Sequence, residues 1–149
     1  MEKGDIVNIS GNGQREKEKV IVVAEDNDMH RYLLEYYLRT WGYEVESFEN
    51  GEEAACFMDV NLFDLLITDL NMPRMDGLEL IRYVRENISE MVPVIAISAE
   101  RMPETGSRLL EAGAGCFLGK PFMPADLIAC VTNLTGEGWI TERQNTKEF

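Results

Sequence analysis

The chain is short of the residues that build metal cages and disulfide frameworks. Its 149 residues hold one histidine, His30, and three cysteines, Cys56, Cys116 and Cys130. The cysteines are odd in number and far apart, and no CxxC or His/Cys ligand spacing exists. That excludes a zinc module and a disulfide scaffold. The three read as small core residues of a reducing compartment. No apolar run approaches membrane-spanning length, and the start lacks the basic-then-apolar pattern of a secretory signal. The expected location is the cytoplasm, with no membrane partner.

Positive charge is scarce in the same way. The net charge is −13. Residues 20–134 carry twenty Asp and Glu against eight Lys and Arg, a net of −12. The acidic part is therefore the part with the look of a folded domain. Nucleic acid and anionic membranes both need a positive face, so neither is expected as a direct partner. Scarcity also makes each base notable: Lys120 is the only lysine between Lys19 and Lys147.

What is present is an alternation of strand and helix. Residues 1–19 are polar, with three glycines and a Gln14–Lys19 charge run. They read as a disordered arm. Val20–Ala24 is an apolar strand ending in the turn and cap cluster Glu25-Asp26-Asn27-Asp28. A helix follows from about Met29 to Trp41, with Leu34, Leu38 and Trp41 on one face and Leu33 and Tyr37 beside them. Glu44–Phe48 alternates like an edge strand. Asn50 and Glu53 have the spacing of a capping box for a helix to about Asp59. After the strand around Leu65–Thr68 comes a helix from Gly77 to about Asn87. Val92–Ser98 is a fourth strand, about Glu104–Ala112 a short helix, and Cys116–Gly119 a fifth strand. Pro124 opens a last helix to about Leu134. Residues 135–149 read as a tail. The 20–134 region is long enough for one domain with a real core. Five strands alternating with five helices predict an α/β, doubly wound parallel sheet with the flavodoxin-like order 2-1-3-4-5.

The stretch Leu65-Leu66-Ile67-Thr68-Asp69-Leu70-Asn71-Met72-Pro73-Arg74-Met75-Asp76-Gly77 organises the rest. A strand apolar on both faces suits the middle of a parallel sheet. It ends in a lone aspartate at the sheet edge where such folds bind ligands. In the predicted order, strands 1 and 3 are neighbours. Glu25, Asp26 and Asp69 then share one pocket, and three like charges at close range need compensation. A divalent cation supplies it. Carboxylate and carbonyl oxygens suit Mg²⁺, so Glu25, Asp26, Asp69 and the backbone carbonyl of Asn71 form a candidate metal site. Ser98 and Lys120 end strands 4 and 5 at the same edge. A hydroxyl and an ammonium facing a carboxylate and Mg²⁺ make a site for a phosphoryl group, with Asp69 as the nucleophile.

Glu25-Asp26, Asp69 in D-L-N-M-P-R-M-D-G, Ser98 in I-S-A and Lys120 in G-K-P-F together resemble the receiver domain of two-component response regulators. The likeness covers about residues 20–134. It implies that Asp69 takes a phosphoryl group from a sensor histidine kinase or phosphotransfer protein, and that an unnamed downstream protein reads the result. It implies Mg²⁺ at Glu25 and Asp26, Ser98 as the switch hydroxyl, Phe117 as the switch aromatic and Lys120 as the phosphate partner. The family often has Asp-Asp where this chain has Glu25-Asp26. Asn71 and Glu100 fall at positions said to tune phosphate lifetime. Such a domain catalyses only its own phosphorylation and dephosphorylation. Only 15 residues follow residue 134, which leaves a single-domain receiver or a fragment of a longer protein.

Three rivals compete with that reading. A phosphatase of the haloacid-dehalogenase type also uses a strand-end Asp, a Ser or Thr, a Lys and Mg²⁺. Its resemblance implies a second acid two residues after the nucleophile, where this chain has Asn71, and a later acidic pair that is missing here. A flavodoxin-type flavin carrier needs a phosphate cradle where Glu25–Asp28 would repel one. A non-phosphorylated interaction module is the third. His30 reads as a packing or surface residue, and Arg74 as a solvated loop charge.

Overall fold

The computed structural model describes residues 18–100 and 102–136. Most of the arm expected over 1–19 and of the tail expected over 135–149 lies outside the described residues. Five strands and five helices alternate: β1 Val20–Ala24, α1 Asp28–Thr40, β2 Glu44–Phe48, α2 Gly51–Val60, β3 Leu65–Asp69, α3 Gly77–Asn87, β4 Val94–Ser98, α4 Pro103–Ala112, β5 Cys116–Gly119 and α5 Pro124–Thr135. The sheet order is β2-β1-β3-β4-β5 and every pairing is parallel. This is the predicted flavodoxin-like, doubly wound architecture.

The strands sort their side chains by parity, as a pleated strand must. Ile21, Val23, Leu65, Ile67, Ile95, Ile97 and Leu118 join Leu34 and Leu38 of α1 and Leu127 and Val131 of α5 in one core. Val22, Ala24, Leu66, Val94 and Ala96 join Ala54 and Met58 of α2, Leu80, Ile81 and Val84 of α3, and Leu109 of α4 in the other. β3 and β4 are buried at every residue. That explains their unbroken apolar sequences. β2 lies at the edge and is only half-buried.

Helix boundaries follow local chemistry. Asn27 caps α1 by accepting from His30 N at 2.9 Å, and Asn50 caps α2 by accepting from Glu53 N at 2.8 Å. Asp76 and Glu79 form a reciprocal capping box at the start of α3. Gly113 ends α4 at a φ of 124°. Within α1, Leu33 is exposed, beside Met29, Tyr32 and Tyr36. Among the described residues, no helix is long and apolar enough to cross a membrane.

The cysteines correct the sequence reading. Cys116 of β5 and Cys130 of α5 form a disulfide with Cα atoms 6.2 Å apart, and Cys56 is exposed on α2. Helix α5 runs back across β5 and brings the first two together, a contact that linear spacing does not reveal. Cys130 is a core residue; Cys56 is not.

Candidate functional site

The carboxyl ends of β1, β3, β4 and β5 meet at one edge. Ala24 pairs with Thr68 and Asp69 with Ile97, while Ser98 pairs with Gly119. Glu25 and Asp26 therefore follow β1 beside Asp69, the last residue of β3. Lys120 follows β5, with its N–H donating to the Ser98 carbonyl at 2.9 Å. The Lys120–Pro121 peptide is cis.

Glu25, Asp26 and Asp69 each offer an oxygen, and these oxygens lie within 4.8 Å of one another. Glu25 and Asp69 are buried, while Asp26 is exposed. Lys120 Nζ sits 3.0 Å from Asp69 Oδ1 and 3.0 Å from Glu25 Oε1. Three carboxylates against one ammonium leave a surplus of two negative charges when all are ionised, which matches a divalent cation. Glu25 Oε1 is buried beside that ammonium and, among the described residues, has no well-directed hydrogen bond. The opposite oxygen of the same carboxylate accepts from Asn27 N at 3.1 Å. An all-oxygen donor set with one poorly satisfied buried oxygen suits a hard cation such as Mg²⁺.

The electrostatics follow from burial and crowding. The Asp69 carboxyl has its pKa raised, chiefly by burial. Lys120 pulls it back, the Asp26 charge adds to the rise, and the Asn71 backbone N–H lowers it. Glu25 is raised by burial and by the Asp69 charge, with Lys120 opposing. Burial alone would lower Lys120, but its contacts with Asp69 and Glu25 outweigh it and the net shift is upward.

Ser98 is fully buried, and its Oγ accepts from Glu100 N at 2.9 Å. Phe117 is half-buried on the α4 side of the sheet. Its ring faces Gly106 of α4, where an added Cβ would lie 3.6 Å away. Asn71 is exposed, with its amide N 3.4 Å from Glu100 Oε2, and Thr105 Oγ1 donates to Glu100 Oε1 at 2.9 Å. Glu100 thus bridges the β3–α3 loop and α4. Arg74 is paired with Glu52 at 3.1 Å, not a lone solvated charge, although both are exposed. The same loop carries left-handed backbone at Arg74 and Met75, and Glu52 N donates to the Arg74 carbonyl.

His30 is the residue sequence reasoning misplaced. It is not a plain packing or surface group: its Nδ1 lies 2.9 Å from Lys120 Nζ. The signal was its place in the first turn of a helix that starts just after the acidic pair. Arg31, next to it, donates to the Glu25 carbonyl at 2.9 Å and fixes α1 to the end of β1.

Residues 21–132 match the response regulator receiver domain family. Transcriptional regulatory protein ResD of Bacillus subtilis is 35% identical over 118 residues, which cover 78% of this chain and 48% of ResD. Sensor protein EvgS of Escherichia coli is 37% identical over 101 residues, 68% of this chain and 8% of EvgS. The chain thus spans about half of one relative and under a tenth of the other. Among solved structures, the receiver domain of sensor histidine kinase PA1611 from Pseudomonas aeruginosa superposes with a TM-score of 0.75 at 28% identity. That match covers 81% of this chain and all of the other, whose active site cleft coordinates a magnesium ion. Sequence match, strand order and carboxylate pocket agree, and the chain belongs to the response regulator receiver domain family.

Proposed function

We propose that Asp69 is the phosphoacceptor and that it takes its phosphoryl group from a phosphohistidine of a sensor kinase or phosphotransfer protein. The carrying observation is the ion pair of a buried, strand-end Asp69 with Lys120 at 3.0 Å inside a three-carboxylate cluster. An Asp69 oxygen attacks phosphorus, the P–N bond breaks, and the imidazole leaves with a proton from solvent. Lys120 would neutralise phosphoryl oxygens, and Ser98 would donate to one of them. Glu25, Asp26, Asp69 and the Asn71 carbonyl would hold Mg²⁺, which when bound supplies positive charge to the carboxylates and the phosphoryl oxygens. Phe117 is the aromatic that would move with Ser98, and a downstream protein would read the altered face. The domain would act on itself alone, over residues 20–134 and in the cytoplasm.

The test uses the full chain, phosphoramidate as a P–N phosphodonor, and intact mass. Wild type should gain one phosphoryl group in Mg²⁺, and Asp69→Asn none, because an amide is not a nucleophile here. Undiminished incorporation in Asp69→Asn, with the label at another residue, overturns the reading. Steady turnover of a phosphate monoester would instead indicate phosphatase chemistry.

A further inference from the structure

The single histidine of the chain stands where the lysine of the site needs a neutral partner. Lys120 Nζ lies 3.0 Å from both Glu25 Oε1 and Asp69 Oδ1 and 2.9 Å from His30 Nδ1. His30 Nδ1 also lies 4.0 Å from Glu25 Oε2. These two His30 contacts make opposite demands. The longer would be an ion pair only for a protonated ring. The shorter faces an ammonium, which has only protons to give, so Nδ1 must accept and the ring proton must sit on Nε2. The shorter, hydrogen-bond-length contact decides.

We propose that His30 is a positioning residue: its Nδ1 accepts from Lys120 and keeps the ammonium beside Asp69. The proposal rests on the phosphoacceptor reading above. Lysine carries a compact charge on a flexible four-carbon stem, so its placement depends on fixed partners. Glu25 and Asp69 are carboxylates of the candidate metal site, and their hold on Lys120 weakens once a divalent cation shares their charge. His30 is a partner a hard cation does not compete for, since Mg²⁺ favours oxygen over imidazole. The ring is set by the helix that carries it. Asn27 caps the first turn through His30 N, and Arg31 ties that turn to the Glu25 carbonyl. The side chain is 43% exposed, so it is not there to fill the core.

The test compares wild type with His30→Leu and His30→Asn in the full chain. Asparagine places an acceptor oxygen near the position of Nδ1, while leucine keeps bulk and removes the acceptor. The first readout is the initial rate of Asp69 phosphorylation by acetyl phosphate in Mg²⁺. His30→Leu should be about tenfold slower and His30→Asn within about twofold of wild type, as expected for one hydrogen bond to a charged group. Equal rates in wild type and His30→Leu, or equal losses in both variants, overturn the proposal. The second readout needs neither metal nor phosphodonor. Nitrogen-15 NMR of the wild-type ring at about pH 8, above the ordinary histidine range, should show Nε2 protonated and Nδ1 bare. The opposite tautomer overturns the proposal even if the leucine variant fails to fold. A wild type that accepts no phosphate at all refutes the phosphoacceptor reading, and this proposal falls with it.

Discussion

Replacing Gly77 with alanine probes how closely the loop after β3 is folded onto Asp69. Gly77 opens α3, and its φ lies outside the left-handed region, so backbone freedom is not what glycine supplies here. Space is. An added Cβ would fall well inside contact distance of the Asp69 carbonyl oxygen, 2.8 Å from Leu70 Cα and 3.0 Å from the Asp69 carbonyl carbon. All three are backbone atoms, and neither side can swing away. Gly77 N donates to the Leu70 carbonyl at 2.8 Å, and Leu70 N to the Ile97 carbonyl at 2.9 Å. Overpacking costs about 1–3 kcal/mol, and rigid backbone on both sides puts this site at the top of that range. Alanine's helix preference over glycine offsets at most about 1 kcal/mol. The net loss is about 2 kcal/mol, which lowers Tm by roughly 8 °C in a domain of this size. Relief of the clash on the β3 side would displace Asp69, and a shift of about 1 Å at a reacting group costs on the order of 100-fold in rate. Circular dichroism melting and phosphorylation by acetyl phosphate, followed by intact mass, measure the two effects. A Gly77→Ala protein that melts within about 1 °C of wild type and phosphorylates at the same rate would refute the reasoning.

Three further outcomes follow from the site and its surroundings. Asp69 and Glu25 have raised pKa values, chiefly through burial. Their stabilising contribution is therefore present below the unfolded carboxylate value of about 4 and is lost as pH rises through the raised folded value. Metal-free protein should lose stability as pH climbs above the usual carboxylate range, and Mg²⁺ should raise Tm more at about pH 8 than at about pH 5; equal gains at both contradict this. Ser98→Ala should still accept phosphate at Asp69 but lose the conformational response. Amide NMR shifts over residues 98–120, with and without beryllofluoride, report it, and a full wild-type shift pattern in the variant refutes the coupling. Peptide mapping without reductant should recover Cys116 linked to Cys130 and Cys56 alkylated, and reduction should cost about 3 kcal/mol of stability. Alkylation of all three cysteines without reductant contradicts the pairing.

The strands were legible because each is an apolar run ended by a polar residue at one sheet edge. Once order 2-1-3-4-5 is assumed, Glu25, Asp26, Asp69, Ser98 and Lys120 converge without further information. β3 and β4 needed no periodicity, since burial on both faces makes them apolar throughout. What stayed hidden depends on how helices lie across the sheet. His30 reaches Lys120 because α1 starts over the end of β1, a contact 90 residues apart in sequence. Cys116 meets Cys130 because α5 crosses back over β5. The helical spacing sets Leu33 beside the core stripe, yet it falls on the outward edge of α1, where small differences in helix rotation decide exposure. Capping pairs were legible only in part. Asn50 is legible from its spacing to Glu53, whereas Asp76 and Glu79, at the same spacing, lie inside the loop that follows Asp69.

The central claim is that the side chain of Asp69 becomes an acyl phosphate. Borohydride reduces an aspartyl phosphate to homoserine and leaves free carboxylates intact. Treating the full chain with acetyl phosphate and Mg²⁺, then borohydride, and sequencing the peptide that spans β3 reads the modified residue directly. Homoserine at position 69, absent when phosphodonor or Mg²⁺ is withheld, is the predicted result. An unmodified Asp69 in protein that has gained phosphate, homoserine at Asp26 or another aspartate, or 5-hydroxynorvaline at Glu25 or another glutamate would contradict the account.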